Sequence, residues 1–270
     1  MTERATWVPE GVDDTIPSPA RMYDYMLGGG HNFAVDREMI DRVLALSPMA
    51  GQWALLNRSF LRRAVLTLVE CGIRQFLDIG SGIPTVGNVH EIAQQADPQS
   101  RVVYVDHDPV AVAHSELVLQ GNDRATAILA DMRDPDSILE HPKTRQMLDF
   151  DAPIGLLMVT VFHYVGDADG PLELLARYRD ALVPGSYLAL SHACTELNSA
   201  EVAKMVELGK HNTPFYPRTR AEIAALFTGF RLLEPGLVTT ATWRAHGAGD
   251  GRSDPAAEID IVLAGVGVKL

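Results

Sequence analysis

The sequence predicts an α/β fold built on a mostly parallel sheet. From residue 75 onward, short apolar, β-branched runs alternate with amphipathic stretches, as they do in repeated strand–helix–strand units. The composition, with 47% hydrophobic and 21% charged residues, is sufficient to bury a normal core. A length of 270 residues allows one large domain or two small ones.

Seven strands are expected in this sheet. The fourth is apolar along almost its whole length, which places it at the sheet centre with both faces covered. The last two are separated by a Gly-, Ala- and Asp-rich loop at residues 245–257 with no helix, so the last strand is expected to be antiparallel to the others. The predicted strands are residues 75–79, 101–105, 126–130, 154–162, 186–191, 230–238 and 259–270.

Capping signals mark where several helices begin. An N-cap residue followed by proline at the first helical position is a strong start signal, and the second such pair is expected to open a helix toward residue 148. A further helix is expected at residues 171–182. The signals are the Asp-Pro pairs at 108–109 and 134–135, and two pairs with capping-box spacing, Asn198 with Glu201 and Thr219 with Glu222.

The first 72 residues differ from the rest and predict a helical extension, or lid, in front of a ligand-binding domain at residues 73–270. Helical periodicity is visible at residues 36–46 and 59–71. Three consecutive glycines at residues 28–30, flanked by polar and aromatic residues, are not typical of a core. They indicate either a flexible surface turn or a loop that contacts a ligand. The candidate lid or substrate residues are Arg21, Tyr23, Tyr25, Asn32 and, from the sheet domain, Tyr164.

The net charge and the cysteine content indicate which class of partner and which cellular compartment to expect. Thirty-five acidic against 23 basic residues give a formal charge of −12, which disfavours a nucleic-acid partner. Cys71 and Cys194 lie far apart, so we expect neither a disulfide framework nor a metal site, and a reducing cytoplasm. The longest apolar run is far shorter than the roughly 20 residues that a membrane span needs. A small-molecule partner is therefore expected, and the oligomeric state stays open.

The strongest motif lies where the first strand leads into a helix. Gly80-Ser81-Gly82 permits a sharp turn and close approach of a ligand to the backbone. Asp78 ends this strand and Asp106 ends the next. Because Asp108 already caps a helix and Asp106 has no such role, we expect Asp106 to accept hydrogen bonds from both hydroxyls of a ribose. Asp131, after the third strand, serves either a local turn or an exocyclic amine.

Two nucleoside cofactors fit such a crevice. The dinucleotide fingerprint requires a third glycine at the position of Thr85, and Asp78 would repel a pyrophosphate. The ammonium, sulfonium and ribose diol of S-adenosylmethionine match the acidic residues better. A NAD-dependent oxidoreductase is therefore disfavoured, and a non-catalytic S-adenosylmethionine-binding or regulatory protein remains an alternative.

From residue 75 to 270 the order of motifs resembles a class I S-adenosylmethionine-dependent methyltransferase. The segment PSPARMYDYMLGGGHNFAVDRE at residues 17–38 is similar to the actinobacterial S-adenosyl methyltransferase family, formerly a domain family of unknown function. The resemblance implies a Rossmann-like, seven-stranded sheet with an antiparallel last strand, and S-adenosylhomocysteine as product. Pro84 departs from the glycine of many methyltransferases, which leaves the shape of the turn open.

The resemblance also implies cofactor roles for particular residues. Asp78, Gly80 and Gly82 would surround the methionine end, and Asp106 would bind the ribose. Asp131 and the backbone of Met132 would lie at the adenine. The predicted cofactor-binding set, with two chain neighbours included, is Asp78, Gly80, Ser81, Gly82, Asp106, His107, Asp131 and Met132.

Methyl transfer is an in-line displacement at an activated carbon, so a general base is needed only for a hydroxyl or protonated amine acceptor. His163 is the best-placed candidate, because residues 161–164 end the fourth strand at the same sheet edge as the glycine turn. His31, His192 and His211 are weaker candidates. The segment at residues 212–218 is expected to be a rigid packed connection rather than a second wall of the site.

Overall fold

Three helices precede the sheet in the computed structural model, which describes residues 9, 12–84, 87–210, 213–245 and 258–270. They are α1 (Pro19–Met26), α2 (Ala34–Leu46) and α3 (Ala50–Glu70). The predicted helix at residues 59–71 begins nine residues earlier, because Trp53, Ala54 and Asn57 continue the buried stripe of its core-facing side.

Within the described residues the sheet has eight strands. They are β1 (Gln75–Ile79), β2 (Arg101–Asp106), β3 (Ala125–Leu129), β4 (Gly155–Val159), β5 (Tyr187–Ala193), β6 (Phe230–Leu232), β7 (Val238–Thr239) and β8 (Val262–Lys269). Their order is β3-β2-β1-β4-β5-β8-β6, with β7 beside β8. Strands β1 to β5 are parallel, and β8 runs antiparallel to β5, β6 and β7, which confirms the antiparallel last strand.

Helices cover both faces of this sheet, and alternate residues of each strand point to opposite faces. On β1, Phe76 belongs to a buried cluster that includes side chains of α3 and of the helix at residues 89–96, whereas Leu77 belongs to a second cluster that includes side chains of the helices at residues 135–139 and 171–180. The central strand β4 is buried in the same way, as its apolar sequence predicts. The remaining helices are α4 (Val89–Ala96), α5 (Pro109–Val118), α6 (Pro135–Leu139), α7 (Pro142–Met147), α8 (Pro171–Asp180), α9 (Ser199–Gly209) and α10 (Arg220–Ala225).

Three predicted strands are shorter than expected. The last, predicted at residues 259–270, spans only Val262–Lys269. The strand predicted at residues 154–162 ends at Val159, because Thr160 adopts a φ of +53° and turns the chain into a single 3-10 turn, Phe162–Tyr164. The strand predicted at residues 230–238 is divided into β6 and β7 by a turn in which Gly236 N–H donates to Leu233 O over 2.8 Å. This turn contains a proline, which cannot donate to a strand ladder.

The helices begin close to the predicted residues, but one of the predicted N-caps does not form. Asp108 accepts from Val110 N–H over 2.8 Å, and the Thr219 capping box forms. Asn198 instead has a φ of +43° and no capping bond from its side chain, which donates to Glu258 O and Asp260 O.

The predicted helix from residue 134 toward residue 148 is two helices, α6 and α7, because a second cap-and-proline pair restarts it at residues 141–142. The predicted loop at residues 245–257 lies almost wholly outside the described residues.

Of the two expectations for the glycine-rich segment, the structure shows a surface turn, since Gly28 and Gly30 are exposed, and a buried carboxylate holds this turn in place. Asp24 is buried and accepts from His31 N–H over 2.8 Å and from the Asn32 side-chain amide over 2.9 Å. A Cβ atom on Gly29 would lie 2.0 Å from an Asp24 carboxylate oxygen, so this close turn requires glycine. The sequence pattern did not predict these contacts, because they are hydrogen bonds to a buried carboxylate rather than apolar packing.

Buried charges fasten α1 to the rest of the protein. The guanidinium of Arg21 is 3.0 Å from the Asp36 carboxylate and 3.9 Å from that of Asp108, and all three side chains are buried. Ser18 also donates to Asp108. Because Asp108 begins α5 beside the end of β2, these contacts fix the N-terminal helices at the carboxyl edge of the sheet.

Replacing Arg21 by methionine should destabilise the protein strongly, because two buried carboxylates would lose their cation. We expect a loss of about 3–5 kcal/mol in the free energy of unfolding, measured by urea denaturation. Arg42→Met on the exposed side of α2 is the matched control. Equal stability of the two variants would contradict an anchoring role for Arg21.

Candidate functional site

A cleft of about 690 Å³ opens at the carboxyl ends of β1, β2 and β4. Parallel α/β sheets bind ligands at this edge. The N-terminal region from Val12 to Tyr23 and helix α3 form its other walls. All eight residues of the predicted cofactor-binding set line the cleft, together with Arg21, Tyr23 and Tyr164.

The glycine turn after β1 forms the floor of the cleft. Gly80 has a φ of +67°, and a Cβ atom there would lie 2.1 Å from the Val161 side chain. The N–H groups of Gly80 and Ser81 both donate to Val105 O, over 2.8 and 3.1 Å. The turn is therefore folded tightly against β2 and leaves the space above it free.

Asp106 is held by two backbone donors at the end of β2. Gly82 N–H donates to one carboxylate oxygen over 2.7 Å, and Asp108 N–H donates to the other over 2.9 Å. Burial raises the pKa of Asp106, and these hydrogen bonds oppose the rise. Since each carboxylate oxygen has two lone pairs, each can still accept one ligand hydroxyl.

Asp78 is the second buried carboxylate of the cleft. Burial raises the pKa of Asp78 to about 7, with the Arg58 guanidinium acting against this rise and the Asp106 charge adding to it. Such a shift is expected where a carboxylate is taken out of water with little compensation. A cation bound beside Asp78 would remove that cost.

The opposite end of the cleft is more exposed. Asp131 pairs with Arg133, whose Nε lies 3.0 Å from one carboxylate oxygen, and this contact lowers the pKa of Asp131. Met132 O accepts from the Tyr178 hydroxyl over 2.8 Å. His107 is largely exposed, with Nδ1 3.6 Å from Asp106.

A smaller, apolar cavity of about 140 Å³ adjoins the cleft, and we call it the chamber. Its walls come mainly from α1, α2, α3 and α9, with the 3-10 turn after β4. His163 lines the chamber but not the cleft. The residues that line both cavities are Pro19, Tyr23, Asn57, Thr160, Tyr164 and Thr213.

A hydrogen-bonded group forms the boundary between the cleft and the chamber. The Asn57 side-chain amide donates to the Tyr23 hydroxyl over 3.1 Å and to the Thr160 hydroxyl over 2.8 Å. The Ser191 hydroxyl donates to Asn57 over 2.7 Å. Thr160 is β-branched and has a positive φ, a strained conformation that is typical of functional positions.

One buried histidine, His163, lines the chamber, and a second, His192, lies beside it with 5.6 Å between the ring centroids. Burial, with the nearby His192 and Arg218, lowers the pKa of His163 well below its ordinary value. His192 lies between Ala193 O and Arg218, which donates to its Nε2 over 2.9 Å, and burial lowers its pKa to about 4. Both imidazoles are therefore neutral near pH 7.

Several other predicted residues lie away from both cavities. Tyr25 donates to Asp41 over 3.3 Å, and Asn32 contacts Asp24. The ring of His31 lies 3.8 Å from that of His114. Tyr216 and Pro214 do line the cleft, so the segment predicted only as a packed connection also forms a wall. Thr85, His211 and Asn212 lie outside the described residues.

Sequence reasoning missed Asn57, Arg58 and Thr160, and it treated Thr213 as part of a packed connection. Asn57 and Arg58 belong to the first turns of α3, ahead of the residue at which that helix was expected to begin. Had the helical pattern been followed back to Ala50, Asn57 and Arg58 would have appeared as a polar pair next to the buried side of α3. Thr160 was hidden within an apolar run that predicted a continuous strand.

Strand order and an acidic, glycine-floored cleft are together the features of an S-adenosylmethionine-dependent methyltransferase. The model of the S-adenosyl methyltransferase family matches residues 5–270, and the chain belongs to that family. S-adenosylmethionine is accordingly its cofactor, and this assignment decides against the NAD-dependent alternative.

Solved structures agree with this assignment. A candidate methyltransferase from Thermobifida fusca YX is 39% identical, with a TM-score of 0.91 over 98% of this chain and 99% of that one. A DUF574 family protein from Streptomyces avermitilis MA-4680 is 38% identical, with a TM-score of 0.89 over 95% of this chain and 99% of that one. The pyocyanin biosynthetic protein PhzM, 19% identical with a TM-score of 0.50 over 86% of this chain and 61% of that one, shares the fold. No curated protein matches the chain.

Neither a metal-binding cluster nor a membrane-spanning helix is found among the described residues. Among them, no group of three or more His, Cys, Asp or Glu side chains is arranged to hold a metal ion. None of the helices in that part of the chain is both long and apolar enough to span a membrane.

The raised pKa of Asp78 predicts a specific pH dependence of stability. The folded protein binds more protons than the unfolded chain between about pH 4 and pH 7, so its free energy of unfolding should fall as pH rises through that window. Asp78→Asn lacks this titration, so its stability relative to wild type should rise by a few kcal/mol from about pH 5 to about pH 8.

The measurement is urea denaturation of the ligand-free protein across this pH range. Asp123→Asn, at an exposed turn, is the control and should follow the wild-type profile. Parallel profiles of Asp78→Asn and wild type would mean that Asp78 titrates normally in the folded protein.

Proposed function

We propose that the protein transfers a methyl group in line from S-adenosylmethionine, bound in the cleft, to a small-molecule acceptor. The observation that carries this proposal is the pair of buried carboxylates, Asp78 and Asp106, on one glycine-floored cavity. A cleft of about 690 Å³ lies within the usual range of small-molecule sites, which is about 300–1,000 Å³.

The amino-acid end of the cofactor is assigned to Asp78 and Arg58. Asp78 would bind the ammonium, because a cation relieves the cost that raises its pKa. Arg58 lines the same cleft and would bind the carboxylate, since a guanidinium suits that planar anion. Gly80, Ser81 and Gly82 would support this end through the backbone.

The ribose and adenine ends are assigned to the tips of β2 and β3. Asp106 would accept from the ribose hydroxyls through the lone pairs that its backbone donors leave free. Asp131 and the backbone of Met132 would contact the adenine, although the Arg133 pair already occupies part of the Asp131 carboxylate. His107 would cover this end from the solvent side.

When bound, the cofactor supplies a methyl group that its sulfonium has already activated. The protein's part is then to hold the acceptor in line and to exclude water, and good positioning lowers a barrier by up to about 7–11 kcal/mol. Arg21 and Tyr23 of the N-terminal extension (residues 1–72) would close the cleft from one side. His163, which is neutral, would accept the proton of a hydroxyl acceptor as a general base.

The partner and the compartment follow from charge and thiol chemistry. A formal charge of −12 supports a small molecule rather than a nucleic acid as acceptor. Both cysteines are free thiols, and Cys71 is exposed, which supports a reducing compartment and hence the cytoplasm.

Asp106→Asn should weaken the binding of S-adenosylhomocysteine by about tenfold or more, because a ribose diol would lose its charged acceptor. Isothermal titration calorimetry measures this change, and the product is preferred because it cannot turn over. Asp123→Asn makes the same change at an exposed site and should bind as wild type does. Unchanged affinity in Asp106→Asn would remove Asp106 from the site, and absence of binding to wild type would end the proposal.

A further inference from the structure

We propose that the chamber binds the methyl acceptor, and that this acceptor is an uncharged phenol with a single benzene-sized ring. The inference rests on the proposed function, because only a methyl donor in the cleft makes an occupant of the chamber an acceptor. Size, wall chemistry, charge, unpaired polar atoms and the connection to the cleft each support it.

The size of the chamber sets the size of the ring. Its volume is about 140 Å³. An apolar protein cavity of about 150 Å³ is known to bind benzene, so the chamber has room for one six-membered ring. A bicyclic acceptor would extend beyond this volume.

The walls favour an aromatic occupant. Four methionines line the chamber, and thioethers make favourable contacts with aromatic rings while adapting to their shape. The rings of Trp53 and Phe215 lie in the same wall and offer edge or face contacts. The methionines are Met22, Met26, Met39 and Met205.

The described residues that line the chamber disfavour an occupant that carries a charge. Among the described residues that line the chamber there is no Asp, Glu, Lys or Arg. An ion placed there would lose its hydration without gaining a partner of opposite charge. His163 offers no positive charge either, because its lowered pKa keeps the imidazole neutral.

Two buried polar atoms show where a hydroxyl would bind. Nδ1 of His163 and the hydroxyl oxygen of Thr213 are both buried without a hydrogen-bond partner in the described part of the chain. Both residues line the chamber. Buried polar groups are normally paired, so these two atoms indicate a ligand that carries a hydroxyl.

The connection to the cleft places this hydroxyl near the donor. Thr213 and Thr160 line both cavities, so the boundary between the two spaces is polar.

Methylation of the phenol oxygen forms one C–O bond while the C–S bond of the donor breaks with its electron pair remaining on sulfur. The hydroxyl proton passes to Nδ1 of His163 and is returned to solvent after the product leaves.

The test uses fluorine NMR on the protein saturated with S-adenosylhomocysteine, with para-fluorophenol, fluorobenzene and para-fluorobenzoate as probes. Wild type should bind para-fluorophenol about fivefold more tightly than fluorobenzene, since only the phenol satisfies the unpaired atoms. It should bind para-fluorobenzoate at least about tenfold more weakly than the phenol. Failure of para-fluorophenol to bind, or equal binding of the benzoate, would overturn the proposal.

Two variants locate the binding. Ala54→Met extends a side chain into the chamber and should abolish binding of the phenol, whereas Leu55→Met on the exposed side of α3 should leave it unchanged. His163→Phe keeps a ring but removes Nδ1 and leaves only the Thr213 hydroxyl, so its preference for the phenol over fluorobenzene should be clearly smaller than that of wild type. Wild-type phenol affinity in either chamber variant would also overturn the proposal.

Calorimetric titration with S-adenosylhomocysteine separates this proposal from the one on which it rests. Each variant should bind the product as wild type does, because neither Ala54 nor His163 lines the cleft. Normal product binding without phenol binding would overturn the acceptor proposal alone, whereas absence of product binding to wild type would overturn both. If Ala54→Met fails to fold, His163→Phe and the order of the three probes on wild type decide.

Discussion

The burial of Asp78 is the constraint on which the proposed function depends. A carboxylate at the end of β1, with a pKa raised to about 7, makes the ligand-free cleft costly and leaves its charge to be balanced by a cation. Burial also raises the pKa of Asp106, on the next strand, but two backbone donors oppose that rise. The two carboxylates thus lie in different environments, which is why we propose different parts of the cofactor for each.

The N-terminal helices line both the cleft and the chamber. The buried contacts of Arg21 with Asp36 and Asp108 attach α1 directly to the start of α5, beside the end of β2. Because α1, α2 and α3 also form most of the chamber, the position of the chamber relative to the cleft depends on those buried charges. Loss of that anchor would therefore disturb both cavities together.

The sequence predicted the sheet and the acidic edge of the site because both depend on local patterns. Asp78, Gly80 and Asp106 each end a strand or follow one, so their common location follows from parallel topology. The chamber was not predicted, because its walls combine the three N-terminal helices with α9, which lies far along the chain. Helix α1 was missed because it is short and part of its buried surface is charged, with Arg21 paired to Asp36. Thr160 depends on a backbone conformation that residue type does not encode.

A crystal structure of the protein with S-adenosylhomocysteine and para-fluorophenol tests the central claim most directly. The account predicts an amino-acid end at Asp78, a ribose at Asp106, and a sulfur atom that faces the boundary formed by Thr160 and Thr213, with the phenol ring in the chamber. A nucleoside bound elsewhere, or a sulfur directed away from that boundary, would contradict it.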